Sequence, residues 1–178
     1  MPSPIGHALG GVIAALIVRP TAPAGEGIEP QAAPGATLKL YGALGLVACL
    51  PDIDFLWGRH NYETHSLGAA AIAGLVVLAW TRGAGARLAL AVTLAWSTHV
   101  LFDWLGSDDR APLGVMALWP LTNEFYYANA WLFDAISRHY WRDDFVSQNV
   151  FAILKEVALL GPIALALAWW RRRGGRVG

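Results

Sequence analysis

Charge is scarce in this sequence of 178 residues: Asp, Glu, Lys and Arg together make up 15%, against about 25% in a typical soluble domain. Basic and acidic residues cancel to a net charge of zero at pH 7. That removes the overall basic field on which nucleic-acid binding relies, so no nucleic-acid partner is expected. Cysteine is nearly absent. Cys49 alone cannot form an internal disulfide, and within its apolar run it reads as a packing residue. The opening Met1-Pro-Ser-Pro-Ile-Gly-His7 lacks the basic stretch of a signal peptide, so any entry into a membrane is expected through the chain's own segments. There is no nucleophile elbow, no phosphate-binding glycine loop, no CxxC pair and no HExxH. Ser66 and Ser97 each lie near a histidine, but no motif supports a serine hydrolase triad. Internal repeats and heptads are also missing.

What is present is apolar. Hydrophobic residues reach 56%, mean hydropathy is +0.42, and nine tryptophans occur. Trp favours the membrane–water interface, and the composition points to a membrane protein. A small, very apolar soluble bundle is the alternative. The length suits one domain, residues 1–178. Five apolar segments stand out: about His7–Val18, Leu38–Leu50 (stopped by Pro51), Ser66–Trp80, Arg87–Leu105 and Val150–Trp170. Residues 19–37 are a Pro/Gly/Ala-rich loop. Gly6 and Gly10 have the spacing that lets helices approach closely. The expected fold is all-α, a helical membrane bundle of four to five apolar helices. The aromatic stretch 106–149 is expected to add one or two short amphipathic helices at the interface, or to form a cap over the bundle. Only the fourth and fifth segments approach the roughly 20 residues of a spanning helix.

Threading the segments alternately up and down gathers Arg19, Arg82, Arg87 and Arg171–Arg173 on one side. By the positive-inside rule that side is cytoplasmic. The other, non-cytoplasmic side receives nearly every ionisable group of unusual placement.

Those groups suggest a metal. Leu50 to Leu67 contains Asp52, Asp54, His60, Glu63 and His65 between apolar runs. Carboxylates and imidazoles together are ligands for zinc, manganese or iron. Thr98-His-Val-Leu-Phe-Asp103 places His99 and Asp103 on one helical face, and both are costly in an apolar segment unless paired or functional. One of Asp52 and Asp54 is expected to bind the cation and the other to orient a ligand histidine. His65 is expected as a ligand. His60 is a ligand, a general acid or a surface residue; Glu63 is a general base or simply exposed. His7, opening the first segment, joins the same side. Asp108, Asp109 and Arg110 offer a further ligand and a phosphate-binding cation, or form a solvated turn. His139 and Asp143 read as part of an exposed amphipathic helix.

His7, Leu-Pro-Asp52-Ile-Asp54, His60, Thr64-His65-Ser66, His99-x-x-x-Asp103 and Leu118-Trp119-Pro120, in that order, resemble the YdjM-like family of inner-membrane metal-dependent hydrolases, one branch of which is LexA-regulated. The resemblance covers most of the chain. That family looks like a distant relative of zinc-dependent phospholipase C and the single-strand-specific zinc nucleases, helical enzymes that cleave phosphate esters at a zinc cluster. The resemblance implies a similar core. It makes His7, Asp52 or Asp54, His65, His99 and Asp103 the metal ligands, with Asp103 bridging two metals. It places one or two divalent ions, zinc first, at the site. After His60 the family reads Arg-Gly; this chain has Asn61-Tyr62. The later His-plus-carboxylate set for a third metal is reduced to Asp109, His139 and Asp143 at other spacing.

The expectation is a hydrolase at the outer mouth of a membrane bundle, acting on a phosphate ester or lipid-like substrate with a metal-activated water. Asp54, His60 and Glu63 are its candidate acid–base groups, and Asp109, Arg110 and Trp119 its candidate substrate contacts. Membrane lipids are its expected partners. A non-catalytic protein whose His/Asp cluster binds a structural metal or relays ions is the alternative. A bis-histidine haem site has no use for so many carboxylates.

Overall fold

The computed structural model describes residues 1–20, 34–108 and 111–174. Among them are five α-helices and one 3-10 helix: α1 (Pro4–Val18), α2 (Pro34–Val47), the 3-10 helix (Leu50–Trp57), α3 (Leu67–Trp80), α4 (Ala86–Trp104) and α5 (Phe145–Gly174). There are no strands among these residues, only two isolated bridges. The all-helical expectation holds, with boundaries moved by a few residues.

Local chemistry sets the ends. Ser3 caps α1 by accepting the Gly6 N–H, and Pro4 needs no partner for a missing donor. Arg19, left-handed, ends the helix. Ser66 caps α3 through the Ala69 N–H. Pro51 does not end the second apolar segment in a loop. It sits in the first turn of the 3-10 helix, which continues the chain to a left-handed Gly58.

α4 lies at the centre, packed on α1, α2 and α3, while α5 packs on α1. The core is built from small residues, with Ala14, Ala15, Ala48, Ala91 and Ala95 around Leu44 and Val92. Small side chains let backbones approach closely. A Cβ at Gly10 would lie 2.7 Å from both the Phe102 ring and the Thr98 hydroxyl. A second cluster joins Phe102 of α4, Phe133 and Leu160 of α5.

Outward faces are apolar. Ile72, Leu75, Val76 and Trp80 of α3 are exposed, as are Val150, Phe151, Leu154, Leu165 and Trp169 of α5. An exposed apolar surface of this extent suits lipid contact better than a soluble bundle. Among the described residues, two helical stretches are long and apolar enough to cross a bilayer, Thr37–Trp57 and Phe145–Arg173. The fourth and fifth segments both have the expected length, 19 residues in α4 and 30 in α5, but α4 is not among the two. The second stretch is instead α2 running on through the 3-10 helix.

Residues between α4 and α5 correct another expectation. No amphipathic helix forms there, and His139 and Asp143 lie in a turn before α5 rather than on a helix. Pro112, Pro120 and a positive-φ Gly114 break the helical pattern. The backbone is satisfied instead by the bridges Gly106–Phe133 and Val115–Tyr126, and by pairs such as Leu132 N–H to the Leu105 carbonyl. The segment is an irregular cap, pinned by the buried Phe133.

The ends of the bundle have distinct characters. Arg171 of α5 donates to the Ile17 carbonyl at the end of α1, at 2.6 Å. Glu156 of α5 meets Ser3 at the start of α1. The two helices therefore run parallel. The His/Asp groups collect at the end where α1 and α3 begin and α2 and α4 finish.

Candidate metal centre

Three elements and one connection deliver the site. α1 supplies His7 in its first turns, and the 3-10 helix supplies Asp52 and Asp54. The connection after it supplies His60 and His65, and the last turns of α4 supply His99 and Asp103. In a 3-10 helix of three residues per turn, positions two apart point in different directions. This explains why Asp52 and Asp54 do different things.

Asp103 is the hub. Its Oδ2 lies 2.9 Å from His99 Nε2 and 3.4 Å from His65 Nε2, and its Oδ1 lies 3.4 Å from His7 Nε2. Asp52 Oδ1 lies 3.6 Å from His65 Nε2 and 3.7 Å from His99 Nε2. His7 stacks on His99 with ring centroids 3.8 Å apart. Two donors on one tetrahedral zinc, each at about 2.1 Å, lie roughly 3.4 Å from each other. Most of these separations match that value. Three overlapping triads, His7–Asp52–His99, Asp52–His60–His65 and His65–His99–Asp103, each bring their ligand atoms within 4.8 Å of one another.

Hydrogen bonding supplies the stronger observation. His7 Nε2, His65 Nε2, His99 Nε2, Asp52 Oδ1 and both Asp103 oxygens are buried and have no hydrogen-bond partner. Buried polar atoms are rarely left so, and here they converge. On His99 and His65 the opposite nitrogens are engaged. His99 Nδ1 donates to the Ala48 carbonyl at 2.7 Å, and His65 Nδ1 lies 3.0 Å from Asp54 Oδ2. A proton held on Nδ1 leaves the Nε2 lone pair directed inward, as in metal-bound histidines. The donor set fits a divalent cation.

Asp54 is the orienting carboxylate. Besides His65 it accepts from the Thr64 hydroxyl at 2.8 Å and meets His60 Nδ1 at 2.8 Å. It faces the back of the ligands and belongs to none of the triads. Replacing it with asparagine is expected to weaken divalent-metal affinity about 10- to 100-fold, the usual cost of losing such a partner; titration calorimetry in detergent measures this.

His65 shows the competition between proton and cation. Burial depresses its pKa, but Asp52 and Asp54 reverse this and raise it to about 9. A pKa raised that far favours a second proton on the ring when no cation is bound. A cation at Nε2 would displace that proton, so its binding would tighten as pH rises toward that value.

The remaining residues are placed as follows. His60 sits at the rim, with its side chain 17% exposed, stacked on Phe55. Asp52 is also partly open, at 22%. Glu63 is not brought to the cluster; it pairs with Arg59 at 3.0 Å on the exposed side. Trp119 lines an apolar groove with Thr64 and Trp96 rather than meeting the cluster. Asp108 accepts from Asn61 and from the Gly114 N–H. Asp109 and Arg110 lie outside the described residues. Ser66 serves as a helix cap, and Ser97 donates to the Thr93 carbonyl. Glu156, with Ser3, was not anticipated. Its signal in the sequence was a carboxylate inside the last apolar segment.

The family described as YdjM inner membrane protein matches residues 1–175. This chain belongs to it. Inner membrane protein YbcI of Escherichia coli (strain K12), a similar protein, is 29% identical over 146 residues, covering 72% of this chain and 82% of that protein. No solved structure matches. For this YdjM-family protein, the names agree with the apolar outer faces of α3 and α5 and with the two membrane-crossing stretches. They say nothing of chemistry, which the His/Asp cluster alone addresses.

Proposed function

We propose that this YdjM-family protein is a membrane-bound metal-dependent hydrolase that cleaves a phosphate ester or a lipid-like substrate. The observation that carries the reading is the convergence of buried, unpartnered donor atoms from His7, Asp52, His65, His99 and Asp103. Three imidazoles with two carboxylates suit zinc. A divalent cation held there supplies Lewis acidity toward water and toward the oxygens of an ester.

The chain's own residues divide the remaining work. Asp54 fixes His65 and His60 in orientation. His60, hydrogen-bonded through Nδ1 and partly open, is the group best placed to move a proton beside the ligands. Glu63, turned toward Arg59, has the weaker claim to that role. Asp52 and His60 mark the side from which a substrate reaches the centre. The order of His7, Asp52, His65 and His99-x-x-x-Asp103 supports kinship with the zinc-dependent phospholipases C and nucleases. The helices cross the membrane several times with the centre on the non-cytoplasmic face, since Arg82, Arg87 and Arg171–Arg173 occupy the opposite end.

One observation favours a non-catalytic reading: His7, His65 and His99 are fully buried, as the ligands of a closed structural site are. Turnover decides between them. Purified protein is expected to hydrolyse at least one member of a panel of phosphodiesters and phospholipids, to lose that activity with chelator, and to regain it with zinc or manganese. Full metal occupancy without chelator-sensitive turnover on any of them would establish the structural reading.

A further inference from the structure

Glu156 is a fully buried carboxylate in the middle of α5, remote in sequence from every ligand. Its Oε1 accepts the Ser3 N–H at 2.6 Å, and its Oε2 accepts the Ser3 hydroxyl. The Ser3 oxygen in turn accepts the Gly6 N–H at 3.2 Å, and the Ser3 carbonyl accepts the His7 N–H at 3.1 Å. A carboxylate is thus attached to the first turn of α1, where unpaired N–H groups and the positive end of the helix dipole favour negative charge. Packing enforces the same contact. A Cβ on Gly6 would lie 2.7 Å from Glu156 Oε2, so only glycine lets the carboxylate reach the cap. His7 is the next residue. Neither of its ring nitrogens has a hydrogen-bond partner, so no carbonyl or carboxylate orients it as Ala48 and Asp54 orient His99 and His65. Backbone placement, stacking on His99 and Phe102, and the approach to Asp103 are what hold it.

We infer that Glu156 is a positioning residue of the metal centre: by clamping the capped first turn of α1 to α5, it sets the depth and rotation at which His7 meets Asp103. This rests on the metal-centre reading of the previous section. It gives a function to a buried charge that would otherwise be an expense inside an apolar helix. Glu156 touches neither ligand nor substrate, so its effect passes entirely through His7. Metal binding and the docking of α1 on α5 are then coupled, and each strengthens the other to the same degree.

The test is a thermodynamic cycle read in zinc affinity, by competition with a chromogenic chelator, using full-length protein in detergent. Glu156→Gln, nearly isosteric, replaces one acceptor oxygen with a donor. It is expected to weaken zinc binding about 10-fold or more, within the range for residues that orient ligands. In a His7→Ala background the same substitution is expected to change affinity less than twofold, because its route of action is gone. Ser3→Ala, which attacks the contact from α1, is expected to behave like Glu156→Gln and covers the case in which the Glu156 variant does not fold. An equal loss of affinity with and without His7 would show a general structural role and overturn the inference. So would unchanged affinity in both single variants. Failure of the metal-centre reading looks different: wild-type protein would bind no zinc, and the positioning role would fall with it.

Discussion

Asp103→Ala is expected to leave the purified protein without bound divalent metal, while wild-type protein retains it through the same preparation. Asp103 places one oxygen 3.4 Å from His7 and the other 2.9 Å and 3.4 Å from His99 and His65. His7, His65 and His99 all face it, and among the described residues Asp52 is the only other carboxylate with a buried, unpartnered oxygen. Removing it takes away both the shared ligand and half of the negative charge directed at the cation. His99→Ala is expected to act the same way, since His99 belongs to two of the three triads. Metal analysis of the wild type and both variants measures this. Equal metal content in all three would remove the basis for the proposed chemistry. Asp103→Asn separates the causes. It keeps the shape and one acceptor oxygen but loses the charge, so retention of metal in that variant would mean that shape rather than charge holds the cation.

The second large effect concerns the scaffold. A Cβ at Gly11 would lie 2.8 Å from Gly45 Cα and closer still to the Leu44 carbonyl oxygen. These are backbone atoms, which cannot turn aside as a side chain does. Gly11→Val must therefore push α2 away from α1, and a cost of about 3 kcal/mol, the upper end of the overpacking range, is expected. The damage extends to the centre. α2 leads directly to Ala48, whose carbonyl holds His99, and on to Asp52. Gly42→Val on the same pair of helices supplies the control, because a Cβ there meets nothing within 4 Å. Denaturation midpoints in detergent are expected to fall clearly for the first variant and to stay near wild type for the second. Similar midpoints in both would show that α1 and α2 are not packed as closely as described.

Much of the site was legible because its residues are out of place in an apolar sequence. His99 and Asp103 interrupt an apolar run, His7, Asp52 and His65 border one, and alternating helices bring them to one end. The distinct roles of Asp52 and Asp54 were legible only as a choice. What decides it is the 3-10 helix, and the spacing Pro-Asp-Ile-Asp does not reveal whether the turn has three residues or more. Glu63 illustrates a different limit. Its nearness in sequence to His60 and His65 suggested a shared site, but the connection turns and aims it at Arg59. The stretch before α5 left interfacial helices and a cap both open because its aromatic residues imitate an amphipathic face, while Pro112, Gly114 and Pro120 carried the signal for the cap. Glu156 escaped notice because its partner, Ser3, lies 153 positions away, and no local pattern encodes such a contact.

That long-range contact bears on the order in which the molecule can be completed. Glu156 is made long after His7, yet they belong to one corner of the bundle. While α2, α3 and α4 are being added, α1 has a serine cap but no carboxylate to anchor it, and its histidine has only its neighbour on α4 to lean on. Contacts between distant parts of a chain cannot form until the intervening length exists. Every candidate ligand is therefore made before the carboxylate that anchors the turn carrying His7. Insertion of α5 closes the bundle and ties down that turn in one step.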